Sequence, residues 1–168
     1  FRGIVENSNL VARDYRNQMQ SELISDTQLI MREILKVTKN NSVQKKEIEN
    51  ALTEFISIRK ISHLYLFNIK GEVFISSEKE NIINFTLPNE NIYSILNDNQ
   101  FYIFQQGDNY ISVYKKINFL DDIYIQINRN INKKMWQHLT DTKKFYEIYN
   151  TKEEESAGIQ ITFAMIFV

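Results

Sequence analysis

The sequence has 168 residues, of which 43% are hydrophobic, 12% aromatic and 24% charged, a balance that supports a folded core and excludes wholesale disorder. Its 20 basic and 21 acidic residues leave a formal net charge of −1, without the excess of Lys and Arg that binding to a phosphate backbone requires. The absence of cysteine and the presence of only two histidines, His63 and His138, exclude disulfide scaffolds, thiol catalysis, Cys-based zinc sites and a His-rich metal site.

From about Ile4 to Val37 the pattern is helical. Val11, Tyr15, Met19, Leu23, Thr27, Ile30, Ile34 and Val37 recur every three or four residues and draw one continuous stripe. Arg13, Arg16, Gln20 and Arg32 fall on the opposite face. A second helix starts near Ser42, carries Ile48, Leu52, Phe55 and Ile56 on its apolar side, and ends near Lys60. The period then changes from helical to alternating. His63–Ile69 and Val73–Ser77, joined by Lys70–Gly71–Glu72, read as a hairpin. Residues 78–99 are mixed, with Pro88 and a short helical signal at Ile92, Ile95 and Leu96. Phe101–Phe104 and Tyr110–Tyr114 form a second hairpin around Gly107, and Ile123–Asn128 is a fifth strand.

Beyond residue 131 the spacing of Met135, Leu139, Thr142, Tyr146, Tyr149, Glu153 and Ala157 is close to a heptad, which predicts a helix able to pair with its own copy. The uncharged run Ala157–Val168 is shorter than the roughly 20 residues a membrane helix needs. We read it as the first half of a transmembrane helix, against the alternative of a C-terminal core helix. No secretory signal pattern is visible at the start of the sequence. The expected organisation is therefore a helical segment at 1–60, a sensor sheet at 61–130, a signalling helix at 131–156 and the beginning of a membrane span at 157–168.

Several stretches carry a family resemblance. The run Glu155–Ser156–Ala157–Gly158–Ile159–Gln160–Ile161–Thr162–Phe163–Ala164–Met165–Ile166–Phe167 resembles the entry to the last transmembrane helix of NtrY-type sensor histidine kinases. Leu120–Asp121–Asp122–Ile123–Tyr124, Val113–Tyr114–Lys115–Lys116 and Ser8–Asn9–Leu10–Val11–Ala12–Arg13–Asp14–Tyr15 are similar to further parts of the same family. The resemblance implies an α+β fold, PAS-like of the PDC or single-Cache kind. Its five-stranded antiparallel sheet would have a long N-terminal helix and a C-terminal helix leading into the membrane. It also implies a periplasmic domain of a bacterial inner-membrane protein, homodimeric, that controls autophosphorylation and phosphotransfer to an NtrX-like response regulator. ATP and Mg would belong to a kinase domain outside these residues, and no cofactor is expected within them. Two other classes stay open: the ligand-binding domain of a chemoreceptor or cyclase, and a ligand-free dimerisation module.

Alternation assigns the sheet two faces. Ile123, Ile125, Ile127, Ile111, Val113, Phe101 and Ile103 should bury against the long helix. The other face collects Tyr65, Tyr102, Phe104, Tyr110, Ser112, Tyr114, Tyr124 and Gln126, aromatic walls with a few hydrogen-bonding groups, as a small-molecule site requires. The expected ligand-binding surface is this face covered by residues 78–99. The competing reading is a half-exposed face or a dimer contact. Met135, Leu139, Tyr146 and Tyr149 are the expected dimer and signalling positions. His63 and His138 read as packing or surface residues, Asp121–Asp122 as a solvated turn, and Lys115–Lys116 as an exposed strand end. No Ser-His-Asp set, phosphate-cradling Gly loop or positioned carboxylate pair is present.

Overall fold

The computed structural model describes residues 2–38, 45–107, 109–134, 146–151 and 159–164. In chain order they form α1 (Arg2–Thr38), α2 (Lys45–Ile58), β1 (His63–Asn68), β2 (Val73–Ser76), α3 (Glu90–Asn97), β3 (Gln100–Gln106), β4 (Tyr110–Lys116), β5 (Ile123–Asn130), β6 (Tyr146–Thr151) and β7 (Ile159–Ala164). The class is α+β. One antiparallel sheet runs in the order β2-β1-β5-β4-β3-β6-β7, so the five expected strands are contiguous and β6 and β7 extend them at the β3 edge.

The α1 stripe does what its spacing predicts. Met19, Leu23, Thr27, Ile30 and Ile34 are buried, with Tyr15 and Val37 partly so. They meet Leu64, Leu66, Phe101, Ile103, Ile111, Val113, Ile125 and Ile127 from the sheet, and Ile48 and Leu52 from α2, in one aliphatic core. Gln20 departs from expectation. It is buried, because α1 packs against both α2 and the sheet and so hides a strip wider than a single heptad-like line. The same packing encloses Asp26, whose carboxylate lies 3.2 Å from Arg129 Nη2 and 3.8 Å from Arg59 Nε. Burial raises the Asp26 pKa, opposed by the attraction of the two guanidinium groups. Arg129 also pairs with Glu22 and donates to the Arg59 carbonyl at 2.8 Å, tying β5 to α1 and to the end of α2.

Two local devices shape the other side. Gly71 has φ +82°, so the β1–β2 turn needs glycine for its backbone, and the exposed Leu87 side chain lies over it. Asn89 caps α3, its side chain accepting from the Ile92 amide at 2.9 Å. At the far end of α3, Asn99 adopts φ 61° and accepts from Lys115 Nζ at its carbonyl and side-chain oxygens, 2.7 and 2.6 Å. Lys115 is accordingly buried, with Nζ 4.7 Å from the Phe101 ring centroid. It is not the exposed strand end that its sequence neighbourhood predicts.

The C-terminal expectation is corrected. Tyr146 and Tyr149 lie on a strand, not on a helix: β6 pairs with β3 through Tyr146↔Phe104 and Tyr149↔Phe101. Ile159–Ala164, expected to begin a membrane helix, forms β7 and pairs with β6. Both stretches are short and rich in β-branched or aromatic residues, for which a three-to-four spacing and a strand are equally compatible. The unpaired β3 edge supplies the ladder. Met135 and Leu139 lie outside the described residues, as do His138 and residues 152–158. Among the described residues, no helix is long and apolar enough to cross a membrane.

Candidate functional site

Strand register decides which side chains meet. His63 pairs with Asn128 and Tyr65 with Gln126 across β1 and β5. Ser112 pairs with Asn128 and Tyr114 with Gln126 across β4 and β5, while Tyr102 pairs with Tyr114 and Phe104 with Ser112 across β3 and β4. Directly opposed residues share a face. All eight residues expected at the ligand surface therefore lie together, on the side away from α1 and α2. Residues 78–89 and α3 form a roof over them.

The surface has two halves. One is aromatic: Tyr65, Phe67, Tyr93, Tyr102, Phe104, Tyr114 and Tyr124 are buried with Leu96, and Phe85, Ile92 and Ile95 pack on them from the roof. Phe104 and Tyr114 stack at 4.6 Å, Phe67 and Tyr124 at 5.8 Å, and Phe85 meets Phe67 edge-on at 4.9 Å, separations at which ring pairs attract beyond their burial. The hydroxyls reach the roof. Tyr114 donates to the Thr86 carbonyl, and Tyr124 donates to Asn97 Oδ1 at 2.7 Å. Burial pushes the pKa values of Tyr65, Tyr93, Tyr114 and Tyr124 upward, Tyr93 to about 12, so all four stay neutral donors.

The other half is polar and centres on Asn128. Its Oδ1 accepts from Ser112 Oγ at 2.7 Å and from Gln126 Nε2 at 2.8 Å, and its Nδ2 donates to the Asn84 carbonyl at 3.0 Å. Gln126 Oε1 in turn accepts from the Thr86 amide at 3.2 Å. Glu78 holds the roof loop from within, accepting from the Ile83 and Asn84 amides at 2.8 and 3.3 Å and from the Asn84 side chain. Burial alone would raise the Glu78 carboxyl, but these donors together hold it below the usual value.

His63 lies between the two anchors. Its Nδ1 is 3.4 Å from Asn128 Nδ2 and its Nε2 is 3.5 Å from Glu78 Oε1, with the edge of Tyr110 at a centroid distance of 5.0 Å. Burial lowers the His63 pKa, and Glu78 opposes that only partly, so the ring is neutral near pH 7. Nδ1 faces the Asn128 amide nitrogen, while Nε2 faces both the Asn84 amide nitrogen at 3.3 Å and the Glu78 carboxylate, so the tautomer of the neutral ring decides which of these it pairs with.

Sequence reasoning assigned His63 to packing and passed over Asn128, Glu78 and Asn84. The first two were within reach, because one further step of the same alternation adds His63 to Tyr65 and Asn128 to Tyr124 and Gln126. Glu78 and Asn84 sit on irregular chain with no period to betray them. Asp121 and Asp122 are exposed in the β4–β5 turn, and among the described residues no group of three or more His, Asp or Glu side chains could hold a metal ion. The sequence matches the family described as NtrY N-terminal region over residues 1–168. No curated protein matches it.

Proposed function

The chain belongs to the NtrY N-terminal region family, and from that membership we propose that this sensor region of an NtrY-like kinase reads a small molecule between its sheet and the 78–99 roof. The region would lie outside the cytoplasmic membrane, with a PDC-like arrangement of sheet and helices, and would act as a homodimer. Occupancy would bias autophosphorylation in the kinase part of the longer protein, which would supply ATP and Mg chemistry and pass phosphate to an NtrX-like response regulator.

One observation carries the reading: a network joining buried Asn128, Gln126 and Ser112, with half-buried His63, to the irregular roof through Asn84, Thr86 and Glu78. Aliphatic contacts alone would seal this face more cheaply, since every buried polar group costs free energy unless it is paired. A surface whose polar partners sit on a loop can exchange them for a ligand's groups, and a ligand shifts an equilibrium only through different affinity for its two states.

Thermal unfolding of the chain with amino acids, carboxylates, nitrate and divalent cations tests this. A compound present at a hundred times its Kd adds about 2.7 kcal/mol, which raises Tm by roughly 5–11 °C for a chain of this size. The shift should be lost in Tyr124→Phe and Gln126→Leu. A panel that produces no shift, or shifts that both variants retain, overturns the proposal.

A further inference from the structure

A concavity lies on the other face of the sheet, between α2 and the β1–β2 edge. Its volume is about 120 Å³, and Leu52, Ile56, Leu64 and Ile75 make its apolar part. Leu52, Leu64 and Ile75 are themselves buried, so these walls belong to the core and do not depend on mobile surface groups. The rim is formed by Glu49 and Thr53 from α2 and by Ser76, Ser77 and Lys79 from the chain leaving β2.

Most of the rim hydroxyls are already committed. Thr53 Oγ1 donates to the Glu49 carbonyl at 2.7 Å, and Ser76 Oγ donates to the Glu78 carbonyl at 3.0 Å. Ser77 Oγ accepts from the Leu64 amide at 2.9 Å, which leaves its proton available. The Glu49 carboxylate and the Lys79 ammonium form no ion pair among the described residues. The open functionality of the rim is therefore one negative charge, one positive charge and a hydroxyl, above an apolar floor.

We propose that this cavity binds a small zwitterion, an α-amino acid with an aliphatic side chain of about four carbons. Glu49 would take the ammonium group, Lys79 the carboxylate, and Leu52, Ile56, Leu64 and Ile75 the side chain. The size follows from volume: a cavity of about 150 Å³ accepts benzene, with six carbons, so one somewhat smaller accepts four or five. A zwitterion can engage both rim charges where an amine or a carboxylate engages only one, which sets the preference. Such binding would also reach the roof. Lys79 follows Glu78, and Ser76 Oγ accepts from the Glu78 amide at 3.0 Å, so a carboxylate drawn to Lys79 pulls on the residue that holds the roof loop.

The probe is L-leucine, titrated calorimetrically into the 168-residue chain, beside 4-methylpentanoate, which lacks the amine, and isoamylamine, which lacks the carboxylate. L-Leucine should bind at least tenfold more tightly than either. Glu49→Gln and Lys79→Gln should each weaken it about tenfold, and Ile56→Trp should abolish it by filling the floor. Contacts from the leucine methyls to the Ile56 and Ile75 methyls, read by nuclear Overhauser effects in the unaltered chain, locate the site even if Ile56→Trp folds poorly. Equal affinity for the single-charge analogues overturns the proposal, as does absence of binding at 10-fold millimolar excess. Leucine binding that survives Ile56→Trp but is lost in Tyr124→Phe and Gln126→Leu would place the ligand on the roofed face. That result overturns this inference while sustaining ligand binding beneath the roof.

Discussion

The two faces of the sheet are both buried, yet they are built from different chemistry. Toward α1 and α2 the contacts are largely Ile, Leu and Val, closed by two regular helices. Toward the roof they are Tyr, Phe, Asn, Gln and His, closed by one short helix and a loop without regular structure. Aliphatic packing is non-directional and its strength follows area. Hydrogen bonds to a loop add little net stability when made and cost more when broken without replacement. One face is therefore suited to holding the fold, and the other to being opened by something that replaces the lost bonds.

The contrast can be broken most severely on the helix side. Ile30→Ala removes a fully buried side chain of α1 and should cost about 2–5 kcal/mol, measured by urea unfolding. Asn128→Ala, on the roof side, strands Ser112 and Gln126 as well as the Asn84 carbonyl, and should cost about 1–3 kcal/mol. Its signature is different: hydrogen exchange should quicken at Thr86 and its roof neighbours more than in α1. Tyr114→Phe keeps the ring and deletes only the bond to Thr86, so about 1 kcal/mol is expected, again localised to the roof by exchange.

The smallest expected effect is pH dependence, and it sharpens the comparison because its sign differs between the faces: the roof side carries lowered pKa values at His63 and Glu78, the helix side a raised one at Asp26. The His63 pKa is lowered in the fold, so the unfolded chain binds the proton first, and stability present above about pH 6.5 is lost as pH falls through the folded value. The Glu78 pKa is also lowered, so its contribution is lost in turn below about pH 4.5. His63 and Glu78 should lower the unfolding midpoint as pH falls from 7, while Asp26, whose pKa is raised in the fold, contributes with the opposite sign in the carboxylate range. His63→Gln should flatten the upper part of that decline and leave the lower part. An unchanged profile in His63→Gln would show that the ring does not titrate where the geometry places it.

How much of this could be read in advance depends on periodicity. The α1 stripe and the five central strands announce themselves by spacings of three or four and of two. The aromatic face follows from alternation alone, and so does its separation from Ile125, Ile127 and Val113. The roof contributes Glu78, Asn84 and Thr86 from irregular chain, where position in sequence carries no facial information. Tyr146 and Tyr149 illustrate a different failure, since their three-residue interval satisfies a helix while the tyrosines and Ile148 suit a strand. The vacant edge of β3 decides between them, and an edge is a property of the assembled sheet. Lys115 was misread for a related reason: the acceptor that draws it inward, Asn99, is sixteen residues away.

β5 faces both ways at adjacent residues. Asn128 holds the roof, while Arg129 grips Asp26, Glu22 and the end of α2. Successive side chains alternate across a strand, so a single inserted or deleted residue just before Gln126 would exchange their assignments and undo both grips at once. A one-residue change within β5 is therefore tolerated only where a bulge absorbs it, as the irregularity at Leu66/Phe67 does between β1 and β2. The roof loop carries no such parity: an insertion there shifts Asn84 and Thr86 along the chain without turning any strand over.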